Sequence, residues 1–230
     1  MGLFNFISKS KFITPQERRS KNNARIKSMG IACNENLPMI ESSSDVKLKD
    51  IDTIARRAVA SLLIIQVACD VNNGNYEESK EVMPEWLNKF GVIGNLLPKE
   101  MALLQGDFSQ QDVIDVSWTY EAYWSLVWAL GLIDNIDEPF DICDCNLAIE
   151  LVTRCRSLQD FKKSCKIRNV EEILNMLDLY YRYHWACVEK QINPETEIGY
   201  LDPGVVVERR RGLEWLFSEE DDWNNISLDT

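Results

Sequence analysis

The chain has a single histidine, His184, and no apolar run long enough to span a bilayer, which takes about 18 residues. Its longest apolar stretch, Ala58–Cys69, is shorter and reads as a buried helix. No membrane span is therefore expected. The start, MGLFNFISKSKF, lacks a long apolar core and a small-residue cleavage site, so it is not a secretory signal. Phe6 stands where N-myristoylation wants Ser or Thr. Glycine-rich phosphate loops, nucleophile elbows and zinc-protease helices are missing, as are internal repeats and strand-period segments. These absences predict a cytoplasmic protein and argue against an enzyme of a recognisable class. The seven cysteines are an odd number in a chain that needs no staples, and read as free thiols in a reducing compartment.

Positive charge is scarce outside the first thirty residues. Residues 1–30 hold seven Lys or Arg and one acid, a net of +6. With −12 overall, residues 31–230 carry −18. A body this acidic predicts no nucleic-acid binding, which needs a basic face to neutralise phosphates. It suits a basic protein partner.

What is present is a core-forming composition, 45% hydrophobic over 230 residues. That is enough for one good-sized core. The periodicity predicts an all-α fold: a single compact multi-helix domain over residues 14–230 behind a flexible leader, residues 1–13. In the leader Phe4, Phe6, Ile7 and Phe12 alternate with lysines, which reads as a frayed tip rather than a membrane-surface helix.

Thr14-Pro15-Gln16-Glu17 is a capping box opening a helix that stops at Gly30. A loop follows, with Leu37, Pro38 and Ile40 docking on the core. Asp50 or Asp52 opens the next helix, which ends at Asn72–Asn75. A weaker amphipathic helix spans Tyr76–Phe90, and a short one follows Pro98. Gln110–Ile133 is apolar nearly all round and predicts the central buried helix. Trp118, Ala122, Ser125 and Ala129 make a strip on it against which another helix can pack closely. Two short helices are expected in residues 140–168. Asn169 then caps a long helix, with Glu172 as its capping-box acid. That helix and PGVVVERRRGLEWLF predict a C-terminal helical hairpin, followed by an acidic tail whose Trp223 packs back on the last helix.

Charged residues fall on apolar faces. Arg209 lies inside the arc of Val205, Val206, Leu213, Leu216 and Phe217, with Arg210 at its edge. A lone buried charge costs several kcal/mol, so Arg209 needs a carboxylate, and Glu121 and Asp178 are the candidates. Asp178 stands four residues before Arg182 and can instead be satisfied within its own helix. His184 sits in the stripe of Ile173, Leu177, Tyr180, Cys187 and Val188 and reads as a core histidine. Glu121, Asp178, Arg182, His184 and Arg209 thus form the candidate polar cluster. It is either a packing network or the lining of a site for a small polar ligand. A Cys187–His184 nucleophile is disfavoured by the apolar face, which raises a thiol's pKa. Cys143, Cys145, Cys155, Cys165 and His184 lack zinc-ligand spacing, so no metal and no cofactor is implied.

Several blocks together resemble a bacterial family. They are Arg18-Arg19-Ser20, Leu37-Pro38, Arg56-Arg57-Ala58, Trp118-x-x-Glu121-Ala122, Trp128-Ala-Leu-Gly131 and Asp178 to Ala186. Val206 to Arg210, Leu213-x-Trp215-Leu216 and Asp222-Trp223 complete the series. In this order they are similar to the family called domain of unknown function 4272, over about Thr14–Thr230. Asn224 departs from the acid expected after that tryptophan. The resemblance implies a soluble bacterial protein and brings no catalytic residues. The expectation is a non-enzymatic binding protein for a basic partner, as an immunity-type or adaptor protein would be. The alternative is a small-molecule binder or enzyme built on the five-residue cluster.

Overall fold

A computed structural model describes residues 12–230, so most of the expected leader lies outside the described residues. Among the described residues there are nine α-helices, two short 3-10 turns and no strand. The helices are α1 (Pro15–Ser28), α2 (Ile51–Asn73), α3 (Tyr76–Phe90), α4 (Pro98–Gln105) and α5 (Gln110–Ala129). They continue with α6 (Cys145–Thr153), α7 (Leu158–Ser164), α8 (Val170–Ile192) and α9 (Pro203–Trp215). A 3-10 turn at Trp223–Asn225 closes the chain.

Local chemistry sets the helix ends. The Thr14 hydroxyl accepts from the Glu17 N–H at 3.2 Å, and the Glu17 carboxylate accepts from the Thr14 N–H at 2.9 Å. Ser109 and Asp112 make the same reciprocal box at the start of α5. The Asn169 side chain caps α8, but the Glu172 carboxylate turns to Arg168 instead of back to the cap. A full positive charge next door outcompetes a backbone N–H for that carboxylate.

α5 packs on α2 and on α9, and α8 packs on α9 and on α1. Every residue of α5 from Thr119 to Ala129 is buried, Glu121 and Ser125 included. The expected strip on α5 does meet another helix at short range. A Cβ on Gly212 of α9 would lie 2.5 Å from the Ala122 carbonyl oxygen and 3.0 Å from Ser125 Cβ. Only glycine allows that approach, and Ser125 Oγ then donates to the Arg209 carbonyl at 2.9 Å. Trp118 belongs to the strip in sequence but lies half-exposed, with its ring edge against Gly204.

α5 stops at Ala129 rather than running on to Ile133. The Lys166 and Arg168 N–H groups donate to the Leu130 and Ala129 carbonyls, so a crossing strand of backbone takes the acceptors that another turn of helix would use. Gly131 has φ 71°, and a Cβ there would sit 2.4 Å from the Lys166 carbonyl oxygen. Leu37 is buried and Ile40 packs on the core. Trp223 is fully buried, edge-on to Trp215, with Arg57 stacked on its ring at 4.8 Å.

Candidate functional site

The five polar residues are not one cluster. They belong to three separate centres, and among the described residues no hydrogen bond or ion pair joins one centre to another.

The first centre ties α5 to α9. Arg209 Nε donates to Glu121 Oε2 at 2.8 Å, both side chains being about 95% or more removed from solvent. The other carboxylate oxygen accepts the Cys143 N–H at 2.7 Å. The rest of the guanidinium donates to the carbonyls of Ile136 and Asp141 and to the Tyr180 hydroxyl, at 3.3–3.4 Å. Tyr180 Oη in turn donates to the Ile136 carbonyl. One ion pair therefore gathers α5, α8, α9 and the loop before α6. Burial works against the Arg209 charge, but Tyr180 and Glu121 hold its pKa above the ordinary value. Burial and the neighbouring Glu121 push the Cys143 thiol far up, away from the reactive thiolate form.

The second centre ties α8 to α1. Asp178 receives Arg182 in a two-point contact at 2.8 and 2.7 Å within one turn of α8. Asn22 adds a 2.7 Å bond from α1 to the same carboxylate. Asp178 is thus satisfied by its own helix, and Arg209 is left to Glu121.

The third centre holds His184, which is half-buried. Arg210 Nη1 lies 2.8 Å from His184 Nδ1. A guanidinium only donates, so Nδ1 must be the acceptor and the ring proton sits on Nε2. Arg210 also pairs with Glu214 and donates to the carbonyls of Leu228 and Asp229, which clamps the C-terminal tail on α9. Burial, then the charges of Arg210 and Arg211, lower the His184 pKa to about 4. Cys187, one turn along, is buried and its thiol is pushed up to about 12 by burial and Asp202.

Glu121 reaches the floor of a recess of about 170 Å³, and Arg209 that of another of about 280 Å³; neither recess is lined by a second member of the five. A catalytic constellation needs acid, base and substrate in one open place. This arrangement holds each charge apart, paired and covered. Among the described residues no three His, Cys, Asp or Glu side chains are placed to hold a metal ion.

Four further buried charges lie outside the expected set. Arg57 on α2 makes a two-point contact with Glu100 at 2.7 Å, and Glu100 also accepts the Leu97 N–H as the start of α4. Arg18 on α1 reaches Glu171 and the carbonyls of Ile40 and Glu41. The acids are not legible from the sequence, because each lies on a different helix from its arginine.

A family model described as Domain of unknown function (DUF4272) matches residues 18–226. No curated protein and no solved structure matches the chain. The matched span includes the first two centres and the side chains of the third, and ends before the Leu228 and Asp229 carbonyls.

Two outcomes follow from this geometry. Glu121→Leu strands the Arg209 charge and is expected to lower unfolding stability by about 3–5 kcal/mol in urea melts. Adding Arg209→Met is expected to return about 1–3 kcal/mol of that loss, whereas simple additivity would show that the two are not coupled. His184 titrates at about 4 folded against 6.5 when unperturbed. Its neutral form is favoured by folding, so its contribution is complete above pH 6.5 and is lost as pH falls toward 4. Urea midpoints should drop more steeply across that window in the native protein than in His184→Gln; parallel curves would contradict the assignment.

Proposed function

The chain belongs to the DUF4272 family, and we propose that it is a non-enzymatic binding protein for a basic protein partner, acting in the bacterial cytoplasm. Its charged groups with chemical potential are committed to packing, while its surface keeps carboxylates without partners. The supporting observation is a groove of about 950 Å³ between residues 41–53 and 214–226. Glu41, Asp45, Asp50, Glu214, Glu219 and Asp221 line it against only Lys47 and Lys49. Lys49 is turned away, with its ammonium over the Trp215 ring and donating to the Glu220 carbonyl. Glu41, Glu219 and Asp221 make no ion pair among the described residues. Crowding of acids there is felt at Glu214, whose pKa is raised by burial and, after the opposing pull of Arg210, by Glu41.

Such a groove attracts a cationic segment by long-range steering, with strong salt dependence. A small toxin neutralised by an immunity-type protein is one partner of this chemistry. All seven thiols are free, in keeping with a reducing compartment. The residues from 14 onward would act as one unit.

Fluorescence anisotropy with a labelled oligoarginine peptide tests this. Binding should weaken as salt rises, and Glu41→Gln/Glu219→Gln/Asp221→Asn should lower affinity by about tenfold, or 1.4 kcal/mol. No binding at low salt, or binding indifferent to the three substitutions, would refute it.

A further inference from the structure

Among the described residues, five of the ten exposed large hydrophobic side chains lie in one row: Ile114, Trp118, Ile142, Phe140 and Tyr200. Shared cavities and one ring contact establish the continuity. Ile114 and Trp118 line a recess of about 690 Å³ between α5 and α9. Trp118 and Ile142 line the next, of about 170 Å³. Ile142 and Phe140 line a third, of about 280 Å³. Phe140 then packs edge-to-face on Tyr200 at 6.1 Å, and Tyr200 is 84% exposed. Clustering of this kind is uncommon on a surface that meets only water.

The row is also built, not frayed. The Trp118 indole is held by Gly204, where a Cβ would come within 2.8 Å of the ring. Ile142 sits between Asp141, whose carbonyl accepts from Arg209, and Cys143, whose N–H donates to Glu121. The buried ion pair therefore fixes the apolar residues above it.

Charge selects the occupant. In the first recess Asp115 and Glu208 are offset by Lys99 and Arg211. The third is walled by Asp137, Glu138, Asp141 and Asp144, while its one arginine, Arg209, is already neutralised by Glu121. Arg25 offsets Asp137 alone. A second copy of this chain would bring like charge to that end, and an anionic lipid surface would be repelled by it. Recesses alternating with apolar ridges accept the side chains of an amphipathic helix.

We propose that this row is the docking site for an amphipathic helix of the partner, its apolar face seated on Trp118 and Ile142 and its lysines or arginines over the acidic third recess. The proposal rests on the reading of a basic protein partner and adds a second contact on it, apart from the acidic groove, made by a helix of that partner.

The test compares three labelled probes: an amphipathic Leu/Lys helical peptide, a scramble of the same composition, and oligoarginine. The amphipathic peptide should bind about tenfold more tightly than its scramble. Ile142→Ser/Tyr200→Ser should abolish that preference and leave oligoarginine binding unchanged. Oligoarginine that fails to bind would defeat the basic-partner reading itself. Oligoarginine that binds while the amphipathic preference is missing, or survives the double substitution, would overturn the docking row alone. Sedimentation showing a dimer that the same substitutions dissociate would overturn it in favour of self-association.

Discussion

The architecture depends on one buried contact, the carboxylate of Glu121 against the guanidinium of Arg209. Desolvating two opposite charges is expensive, and their attraction repays it only with good geometry and every remaining donor satisfied. Here the donors are satisfied by carbonyls of Ile136 and Asp141 and by Tyr180, and the second carboxylate oxygen by the Cys143 N–H. Those partners belong to the loop between α5 and α6 and to α8. The pair thus dictates where an irregular, polar-backbone loop must lie. It does so beside a close approach of α9 to α5 at Gly212, where no side chain fits.

Buried pairs recur at Asp178–Arg182 and Arg57–Glu100, although there Arg182 Nη1 and Arg57 Nε are left without a hydrogen-bond partner. Each joins helices remote in sequence or braces one helix against another, and each is closed to solvent. Charges held this way specify packing. On the surface, three carboxylates without ion-pair partners among the described residues, Glu41, Glu219 and Asp221, face a groove, and an apolar row crosses α5 and the 140–142 segment; the proposed binding function rests on these. The buried and exposed halves are connected. The backbone atoms that hold Glu121 and Arg209 flank Ile142, so the core interaction positions the surface residue on which docking would depend.

Much of this was legible in the sequence. Arg209 falls within an apolar arc on a helical wheel, and Glu121 stands in a helix apolar on all sides, so each announces a need for the other. The spacing of Asp178 and Arg182 announces a pair within α8. Thr14 and Asn169 mark helix starts by their own chemistry. Other features were not legible because their causes are tertiary. Arg210 lies at the wheel's edge and is buried only because the tail returns over it to offer carbonyls. Arg57 and Arg18 find their acids on α4 and α8, helices remote from them in sequence. α5 ends early because residues 166–168 cross it. The apolar row could not be seen at all, since Trp118, Ile142 and Tyr200 meet only through the fold.

Side-chain hydrogen exchange of arginine Nε–H groups, followed by ¹H–¹⁵N spectroscopy, addresses the central contact most directly. Sealed against Glu121, the Arg209 Nε–H should exchange only as slowly as the whole domain opens, like the most protected core amides. An Arg209 Nε–H that exchanges as fast as that of an exposed arginine would contradict the account.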